Sequence, residues 1–446
     1  MWWYRWQSMA RAAAEMFIGD DGLIPKERYV SRAFLDLEME RLWPRVWQIA
    51  CREEELAEVG DYVEYVIGDQ SILVVRSASK AIQAFFNTCL HRGTRLAEGR
   101  GRFAEGRVRC RYHGWCYALD GRLTEAVDRH EFASLPDDLR LGEVRAECWG
   151  GFVFVNLDAH AEPLLDFLAP LPELLAPYRL EQMRLRSYLT TILPANWKAV
   201  VDAFNEGYHV QGAHAQILPW TDDVSLAYEQ FRTHAHYGRL PNARRRLRPS
   251  PRLGISADQV DEGEILAALV GSLGGAFLQE ERALVEELRA ASLPPGASLL
   301  ALYQERRMEL LRLRGFDVSG LTPDQMTSAE DVYWFPNMVG PIYPGSAILF
   351  RVRPNGLDPD SAVKDTWVLA WPRPGEPWKM PHHRFYPDWT AKNWGEITNQ
   401  DYANLREVQI GMKSRGCRTL RCNPRQEGNV LHMHRVIDRY LIGAAP

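Results

Sequence analysis

The sequence predicts an α+β protein in which a small all-β domain precedes a larger domain of mixed helices and strands. Three observations predict it. Short strand-like runs fill positions 62–119, with Gly, Asp and Ser between them. Segments with the apolar spacing of helices lie on both sides of that region, at 31–47 and 264–314. A second group of strand-like runs occupies 332–371. The length of 446 residues leaves room for two or three domains and a large core.

The predicted elements follow one another in a simple order. A helical segment at 1–43 comes first and is expected to pack on the larger domain, 161–446. The small β-domain, 44–160, contains a hairpin turn at Asp120-Gly121. A Pro- and Leu-rich stretch at 163–177 marks the boundary between the domains. Within the larger domain, helices are expected at 264–270, 281–291, 299–314 and 394–412, and strands at 184–193, 332–343, 347–352 and 365–371.

Composition excludes several classes of protein. A net charge of −5 argues against a general nucleic-acid binder. No apolar run approaches the length of a membrane span, and Met1 to Phe17 lacks the apolar core of a signal peptide. Seven Cys include no disulfide framework, which indicates a reducing compartment. We therefore expect a cytoplasmic protein that binds neither nucleic acid nor membranes.

Two pairs of Cys and His carry the strongest chemical signal. Cys89 and His91 form a Cys-x-His pair, and after eighteen residues Cys110 and His113 form a Cys-x-x-His pair. Two thiolates and two imidazoles suit either a tetrahedral zinc ion or a two-iron cluster in which two His replace two Cys on one iron. Zinc knuckles usually supply like ligands, whereas each loop here supplies one Cys and one His. The pattern therefore favours the two-iron cluster.

A second constellation contains Glu206, His209 and His214. Glu206 and His209 are three residues apart, so they share one face if the segment is helical. His209 and His214 are five apart, so the helix must break at Gly212 or contain a one-residue bulge to bring both imidazoles together. Two His and a carboxylate from elsewhere would form the facial triad of a non-haem Fe(II) oxygenase, which leaves positions open for dioxygen.

These two constellations together resemble the Rieske non-haem iron oxygenases, the α-subunits of aromatic-ring-hydroxylating systems. The resemblance extends to the Asn-Trp-Lys sequence that begins at Asn196 and to a C-terminal helix. It implies a Rieske [2Fe-2S] domain at 44–160 and a mononuclear non-haem iron domain at 161–446. The second domain would contain an antiparallel sheet covered by helices, the helix-grip or START-like fold. Residues 218–327 would form a helical insertion over the active site.

The resemblance also assigns roles to residues. Cys89, His91, Cys110 and His113 would hold the [2Fe-2S] cluster, with Arg92 and Trp115 covering it. His209, His214 and Asp401 would hold Fe(II), with Asn196 and Tyr208 as supporting residues.

Asp401 is chosen because it lies in a polar helix eight residues before a Gln, and Asp388 and Glu396 remain alternatives. Glu206 would bridge the cluster of a neighbouring subunit to the iron. Ring dioxygenases usually carry Asp at this position, so the Glu resembles the quaternary-amine monooxygenases.

The implied function is that of a terminal oxygenase component that hydroxylates, and we expect cis-dihydroxylates, a small hydrophobic ring substrate with O2. The alternative is a monooxygenase or demethylase of a non-aromatic or quaternary-amine substrate. The chain shows neither a dinucleotide fingerprint nor a second cluster motif, so NAD(P)H would act only through a separate reductase, with or without a ferredoxin. A homotrimer (α3) or an α3β3 assembly is implied. An electron carrier, which needs no Fe(II) triad, and a zinc-stapled binding protein are the other classes.

Overall fold

The chain divides into two compact units. The computed structural model describes residues 16–19, 21–238, 247–256, 259–272, 277–291, 294, 296–373, 375 and 377–443. The smaller unit comprises Leu37–Phe167, and the larger comprises the residues before it and after it. The predicted small domain, 44–160, lies inside the smaller unit. The predicted N-terminal segment, 1–43, is divided between the two units, and its first fifteen residues lie outside the described residues.

The smaller unit is built from two antiparallel sheets. Within the described residues, seven strands form one sheet in the spatial order Gln48–Arg52, Phe152–Asn156, Glu143–Trp149, Ala81–Phe86, Gln70–Ala78, Asp61–Ile67 and Arg100–Arg102. Three more strands form the second sheet: Arg107–Arg109, Cys116–Ala118 and Leu123–Glu125. The hairpin predicted at Asp120-Gly121 is confirmed, because it joins two antiparallel strands of the second sheet. Gly121 is required there: its φ is +85°, and a Cβ would lie 2.6 Å from the Phe85 ring.

The larger unit is organised around a long sheet. Within the described residues its strands lie in the order Tyr228–Gln230, Ala235–Tyr237, Glu330–Trp334, Met338–Tyr343, Ser346–Asn355, Asp358–Ala370, Arg184–Leu193 and His383–Tyr386. Every neighbouring pair is antiparallel except the last, which is parallel. A short pair, Ile24–Pro25 with Thr419–Leu420, lies apart from this sheet. The expected antiparallel sheet with covering helices is confirmed.

The α-helices of the described chain include short turns and longer segments. They are Glu27–Val30, Arg32–Arg41, Leu164–Leu168, Leu171–Leu175, Trp197–Phe204, Val210–Ala213, Glu262–Ser272, Gln279–Ala290, Leu299–Leu313, Glu396–Met412 and Gly428–Ile442. None of the described helices combines the length and the apolar character that a membrane crossing requires.

The segment 218–327, which we expect to be a helical insertion, contains two strands as well as helices. The three predicted helices are present, but Tyr228–Gln230 and Ala235–Tyr237 are strands that extend the main sheet. Ala235–Tyr237 pairs with Glu330–Trp334, almost a hundred residues later in the chain. Such distant pairing decides the conformation of a three-residue segment whose own pattern is too short to predict a strand.

The insertion helices enclose a buried ion pair. The Arg307 Nε donates to Glu281 Oε1 at 2.8 Å, and both side chains are almost fully buried. The same guanidinium donates to the carbonyl oxygens of Met326 and Pro344. A buried charge of this kind is tolerated because its hydrogen bonds are satisfied. Arg307 therefore ties two insertion helices to the segments that lead into the sheet.

We predict that Arg307→Met destabilises the larger unit by about 3–5 kcal/mol, because it leaves the Glu281 carboxylate buried without its cation. The matched control is Arg306→Met. Arg306 is 57% exposed and pairs with exposed Glu309, so its loss should cost less than ~1 kcal/mol. Urea unfolding of both variants measures the difference. If both substitutions lower the free energy of unfolding equally, the buried pair does not contribute more to stability than the exposed one.

Candidate metal centres

The first centre is formed by two loops with matching backbone hydrogen bonds. In one loop the Cys89 N–H donates to the Thr94 carbonyl and the Gly93 N–H donates to the Cys89 carbonyl, both at 2.9 Å. In the other, the Cys110 N–H donates to Trp115 at 2.8 Å and the Gly114 N–H donates to Cys110 at 3.1 Å. Gly93 and Gly114 have φ of +72° and +73°, which favours glycine. Each Cys thus begins an equivalent tight turn.

The two loops place like atoms side by side. The thiols of Cys89 and Cys110 are buried and interact with each other. The rings of His91 and His113 have centroids 4.4 Å apart. The Nδ1 of His91 is buried and has no hydrogen-bond partner among the residues that the structure describes. This arrangement fits a two-iron cluster in which one iron takes both sulfurs and the other takes both nitrogens.

A single zinc ion fits less well. Tetrahedral zinc with Zn–S of about 2.3 Å and Zn–N of about 2.0 Å would hold its four ligand atoms within roughly 4 Å of one another. Among the residues that the structure describes, the group of three or more possible ligands within 4.8 Å of one another is His209, His214 and Asp401. The four side chains of the first centre do not form such a group within the described residues, which disfavours a single ion.

The pKa values of the two thiols are shifted in opposite directions. Burial raises the pKa of Cys89. Burial acts in the same direction on Cys110, but hydrogen bonds from the backbone amides of Tyr112 and His113 outweigh it and lower the pKa of this thiol. Amides that stabilise a thiolate in this way also suit a metal-bound sulfur.

Aromatic side chains surround the first centre. Trp115 is buried and stacks on His91 with ring centroids 5.0 Å apart and planes 10° apart. The Arg92 guanidinium lies 5.6 Å from the Tyr112 ring centroid, and Tyr112 is 57% exposed. The sequence reasoning missed Tyr117, whose hydroxyl lies 3.3 Å from the Cys89 sulfur and accepts from the Leu90 N–H. A Tyr on a strand directly after the second loop was the available signal.

The second centre begins at the helix Trp197–Phe204. The Asn196 Oδ1 accepts from the Lys198 N–H at 3.1 Å and so caps this helix. The Asn196 N–H donates to Gln409 Oε1 at 3.0 Å, which connects the cap to the helix Glu396–Met412. Asn196 therefore acts on the position of two helices, and its contacts include none of the proposed iron ligands.

The helix ends earlier than we expected. It ends at Phe204, so Glu206 lies in a turn, and Gly212 lies inside the next short helix, Val210–Ala213. The prediction that Glu206 and His209 share a helix face, with a break or bulge near Gly212, is wrong. The physical reason is the Glu206 Oε2, which accepts from the backbone N–H groups of Tyr208 and His209. These bonds give the amides partners outside a continuous helix.

The turn brings three possible ligands together. The His214 Nε2 lies 2.8 Å from Asp401 Oδ1, and the His209 Nε2 lies 3.7 Å from the same oxygen. Glu206 Oε1 holds the His209 Nδ1 at 2.6 Å, and Gln400 Oε1 holds the His214 Nδ1 at 2.8 Å. Both imidazoles are thus fixed through Nδ1 and present Nε2 to one point, as imidazoles that bind a metal through Nε2 commonly do.

Charges around the second centre oppose the effect of burial on the pKa values of its two histidines. Burial alone would lower the pKa of His209, but its hydrogen bond to Glu206 and the charges of Glu206 and Asp401 raise it. The same balance raises the pKa of His214, where Asp401 is the principal partner. Two imidazoles and a carboxylate whose charges favour bound protons also suit a divalent cation.

The alternatives to Asp401 lie elsewhere. Asp401 is buried on the helix Glu396–Met412, whereas Asp388 and Glu396 are exposed. Asp388 caps a turn by accepting from the Thr390 N–H at 2.8 Å. Tyr208 is 38% exposed, and its backbone rather than its ring supports Glu206.

A cavity of about 400 Å³ opens onto the second centre. One face of the main sheet forms its wall, because alternate residues of successive strands point to the same side. The wall residues are Leu189, Thr366, Val368, Ile348, Phe350, Pro341, Tyr343, Ala329, Asp331 and Tyr237. Insertion residues Trp220, Leu247 and Leu269 close the other side. Sequence reasoning identified none of them individually; alternation within the strands was the signal that was present.

Comparison with known proteins finds matches for both parts of the chain. Residues 178–443 match the family described as the catalytic domain of the ring hydroxylating alpha subunit, and residues 46–136 match the Rieske [2Fe-2S] domain. The oxygenase subunit of the carnitine monooxygenase of Escherichia coli K12 is 37% identical over 194 residues, which is 43% of this chain and 52% of that protein. The chain therefore spans about half the length of that relative.

Two further proteins are similar over more of the chain. The oxygenase subunit of the glycine betaine monooxygenase of Chromohalobacter salexigens is 28% identical over 419 residues, 88% of this chain and 80% of that protein. A crystal structure of a quaternary ammonium Rieske monooxygenase with L-carnitine superposes with a TM-score of 0.65, at 18% identity, over 96% of this chain and 98% of that one. This last likeness concerns the fold.

We predict that Asp401→Asn greatly weakens metal binding at the second centre, because an amide is a poorer ligand and no longer balances the cation's charge. Asp388→Asn should leave metal binding unchanged. Cobalt(II) is supplied in place of the mononuclear metal, so that this site can be distinguished from cluster iron. Anaerobic metal analysis then measures the bound cobalt in both variants. Loss of cobalt in Asp388→Asn with retention in Asp401→Asn would reverse the assignment.

Proposed function

Because the chain belongs to the ring-hydroxylating α-subunit family of Rieske oxygenases, we propose that it is the terminal oxygenase component of a multicomponent system, and that its substrate is a quaternary or other N-methylated ammonium compound. The likeness to oxygenase subunits named for carnitine and glycine betaine carries the substrate proposal. Glu206, in the position where ring dioxygenases usually have Asp, supports it.

Two sets of residues would hold the metal groups. Cys89, His91, Cys110 and His113 would hold the [2Fe-2S] cluster, and His209, His214 and Asp401 would hold the mononuclear iron. When bound, the cluster supplies single electrons and the iron supplies the position at which dioxygen is activated. The protein's contribution is the fixed orientation of these ligands.

Glu206 has a double role in this proposal. One carboxylate oxygen accepts the backbone amides that form the turn, and the other holds the Nδ1 of His209. We propose that this carboxylate also accepts a hydrogen bond from a cluster histidine of a neighbouring subunit. A homotrimer, or an α3β3 assembly, would provide that neighbour. Electrons would come from NAD(P)H through a separate reductase, directly or through a ferredoxin.

The cavity supports binding of an ammonium group with an apolar body. The rings of Trp220, Tyr343 and Phe350 line it, and aromatic faces attract quaternary ammonium cations. Asp331 adds a buried carboxylate to the wall formed by the sheet. The apolar remainder excludes water from the reacting end, where the proposed iron ligands lie.

A second candidate function is the cis-dihydroxylation of a neutral aromatic ring. The observation that favours it is the large apolar part of the cavity, formed by Leu189, Ile348, Val368 and Leu269. Such a surface binds uncharged hydrocarbon rings well. The charge of the substrate therefore separates the two candidates.

We predict that Glu206→Gln, compared in protein that metal analysis shows to contain both metal groups, slows substrate-dependent reoxidation of the reduced cluster by about 10–100-fold, because the carboxylate between the centres is lost. Glu427→Gln is the matched control, since Glu427 lines the same small cavity beside Glu206 and accepts from the Asn423 N–H at 2.6 Å. Stopped-flow absorbance with O2 and substrate measures the rate. A Glu206→Gln rate equal to that of the control would contradict the bridge.

We predict that trimethylammonium compounds stimulate O2 uptake by the reduced protein more than isosteric tert-butyl compounds do. Aromatic faces in a desolvated site favour the cation by about 2 kcal/mol, or roughly thirtyfold in affinity. An oxygen electrode with the reconstituted reductase measures the difference. If each trimethylammonium compound and its tert-butyl isostere stimulate O2 uptake equally, and neutral aromatic rings stimulate it more, the result would favour dihydroxylation instead.

A further inference from the structure

A fully buried lysine lies beneath the substrate cavity. Lys364 is in the middle of the strand Asp358–Ala370 and is 0% exposed. It faces the same side of the sheet as Thr366 and Val368, which line the cavity. Its ammonium donates to two hydroxyls, Thr366 Oγ1 at 3.1 Å and Tyr402 Oη at 3.0 Å. Neither bond goes to a carboxylate, so within the described part of the chain no salt bridge explains this burial.

Aromatic rings surround the ammonium instead. Its Nζ lies 3.6 Å from the Phe350 ring centroid, 4.9 Å from that of Phe204 and 5.2 Å from that of Tyr402. Burial lowers the pKa of Lys364 to about 7, while the charges of Asp401 and Asp365 act in the opposite direction. An isolated buried ammonium is costly, and an apolar residue of similar length would avoid that cost. Stability alone therefore does not account for a lysine here.

The contacts of Lys364 join the two segments that carry the proposed metal ligands. Tyr402 follows Asp401 on the helix Glu396–Met412. Phe204 ends the helix that precedes the Glu206 turn. Phe204 and Phe350 also contact each other, with centroids 4.6 Å apart, and both line the cavity. One ammonium thus touches the helix of Asp401, the end of the helix before His209, and the cavity wall.

We propose that Lys364 is a positioning residue for the second centre: its hydrogen bond to Tyr402 and its contact with Phe204 set Asp401 at the correct separation from His209 and His214. This inference rests on the proposed metal site. The distances at that site are short, and a shift of the helix by a fraction of an ångström would change the fit of the three ligand atoms. Supporting residues of this kind determine the affinity of a metal site.

The test is cobalt(II) affinity, measured by anaerobic equilibrium dialysis of full-length protein from which the mononuclear metal has been removed. The variants are Lys364→Met, Tyr402→Phe and the double substitution. We expect each single substitution to weaken cobalt binding by about 10–100-fold, and the double substitution to weaken it no more than Lys364→Met does, because both remove one interaction.

Lys198→Met is the matched control. Lys198 is also 0% exposed and also lies over aromatic rings, those of Phe34 and Trp197. Its loss should leave cobalt affinity within about twofold of the original value, so the control separates a general effect of losing a buried lysine from an effect on the metal site. Tyr402→Phe keeps the test decisive even if Lys364→Met fails to fold.

Three outcomes have distinct meanings. Unchanged cobalt affinity in folded Lys364→Met or in Tyr402→Phe would overturn the positioning role. Losses that multiply in the double substitution would also overturn it, because the two residues would then act independently. Cobalt binding that survives Asp401→Ala in otherwise unchanged protein would contradict the proposed metal site itself, and not the role of Lys364 alone.

Discussion

The Glu206 carboxylate is the interaction on which the second centre depends. One of its oxygens accepts backbone amides and so helps to end the helix after Phe204, and the other fixes the imidazole of His209. A continuous helix would turn His209 and His214 away from each other. Because the chain turns at Glu206, both Nε2 atoms face Asp401, which comes from a distant helix. The same carboxylate thus shapes the backbone and sets the orientation of a ligand.

The two centres achieve precision by different physical means. In the first, two tight turns with the same pattern of backbone hydrogen bonds place Cys beside Cys and His beside His, and Tyr117 and Trp115 contact the ligands. In the second, His209 and His214 flank one short helix and Asp401 comes from a distant helix, so side chains of other elements must set the distances. Two hydrogen bonds, Asn196 to Gln409 and Lys364 to Tyr402, join the helix of Asp401 to other elements. The second centre is therefore more dependent on packing than the first.

Buried charged side chains are concentrated in the larger unit, and most of those discussed above are paired with a side chain of opposite charge. Arg307 with Glu281, and Arg351 with Asp365, are paired ions whose hydrogen bonds are satisfied. Lys364 is different, because hydroxyls and aromatic rings take the place of an anion. A buried lysine without a carboxylate partner that contacts the residue next to a proposed ligand is more readily explained by the geometry that it maintains than by stability.

The sequence by itself determined the class of the protein and most of its candidate ligands. The Cys and His pairs are local patterns, and the spacing of Glu206, His209 and His214 is local too, so both could be read without a structure. The family and the antiparallel sheet with covering helices followed from them and are confirmed. Tertiary structure alone decided where the helix before Glu206 ends, that 228–237 extends the sheet, and which residues line the cavity. The sheet extension and the cavity lining depend on contacts between segments far apart in sequence, such as Ala235–Tyr237 with Glu330–Trp334, and no local pattern encodes them. The helix end depends on hydrogen bonds from Glu206 to nearby amides, which compete with a continuous helix that the local spacing equally allows.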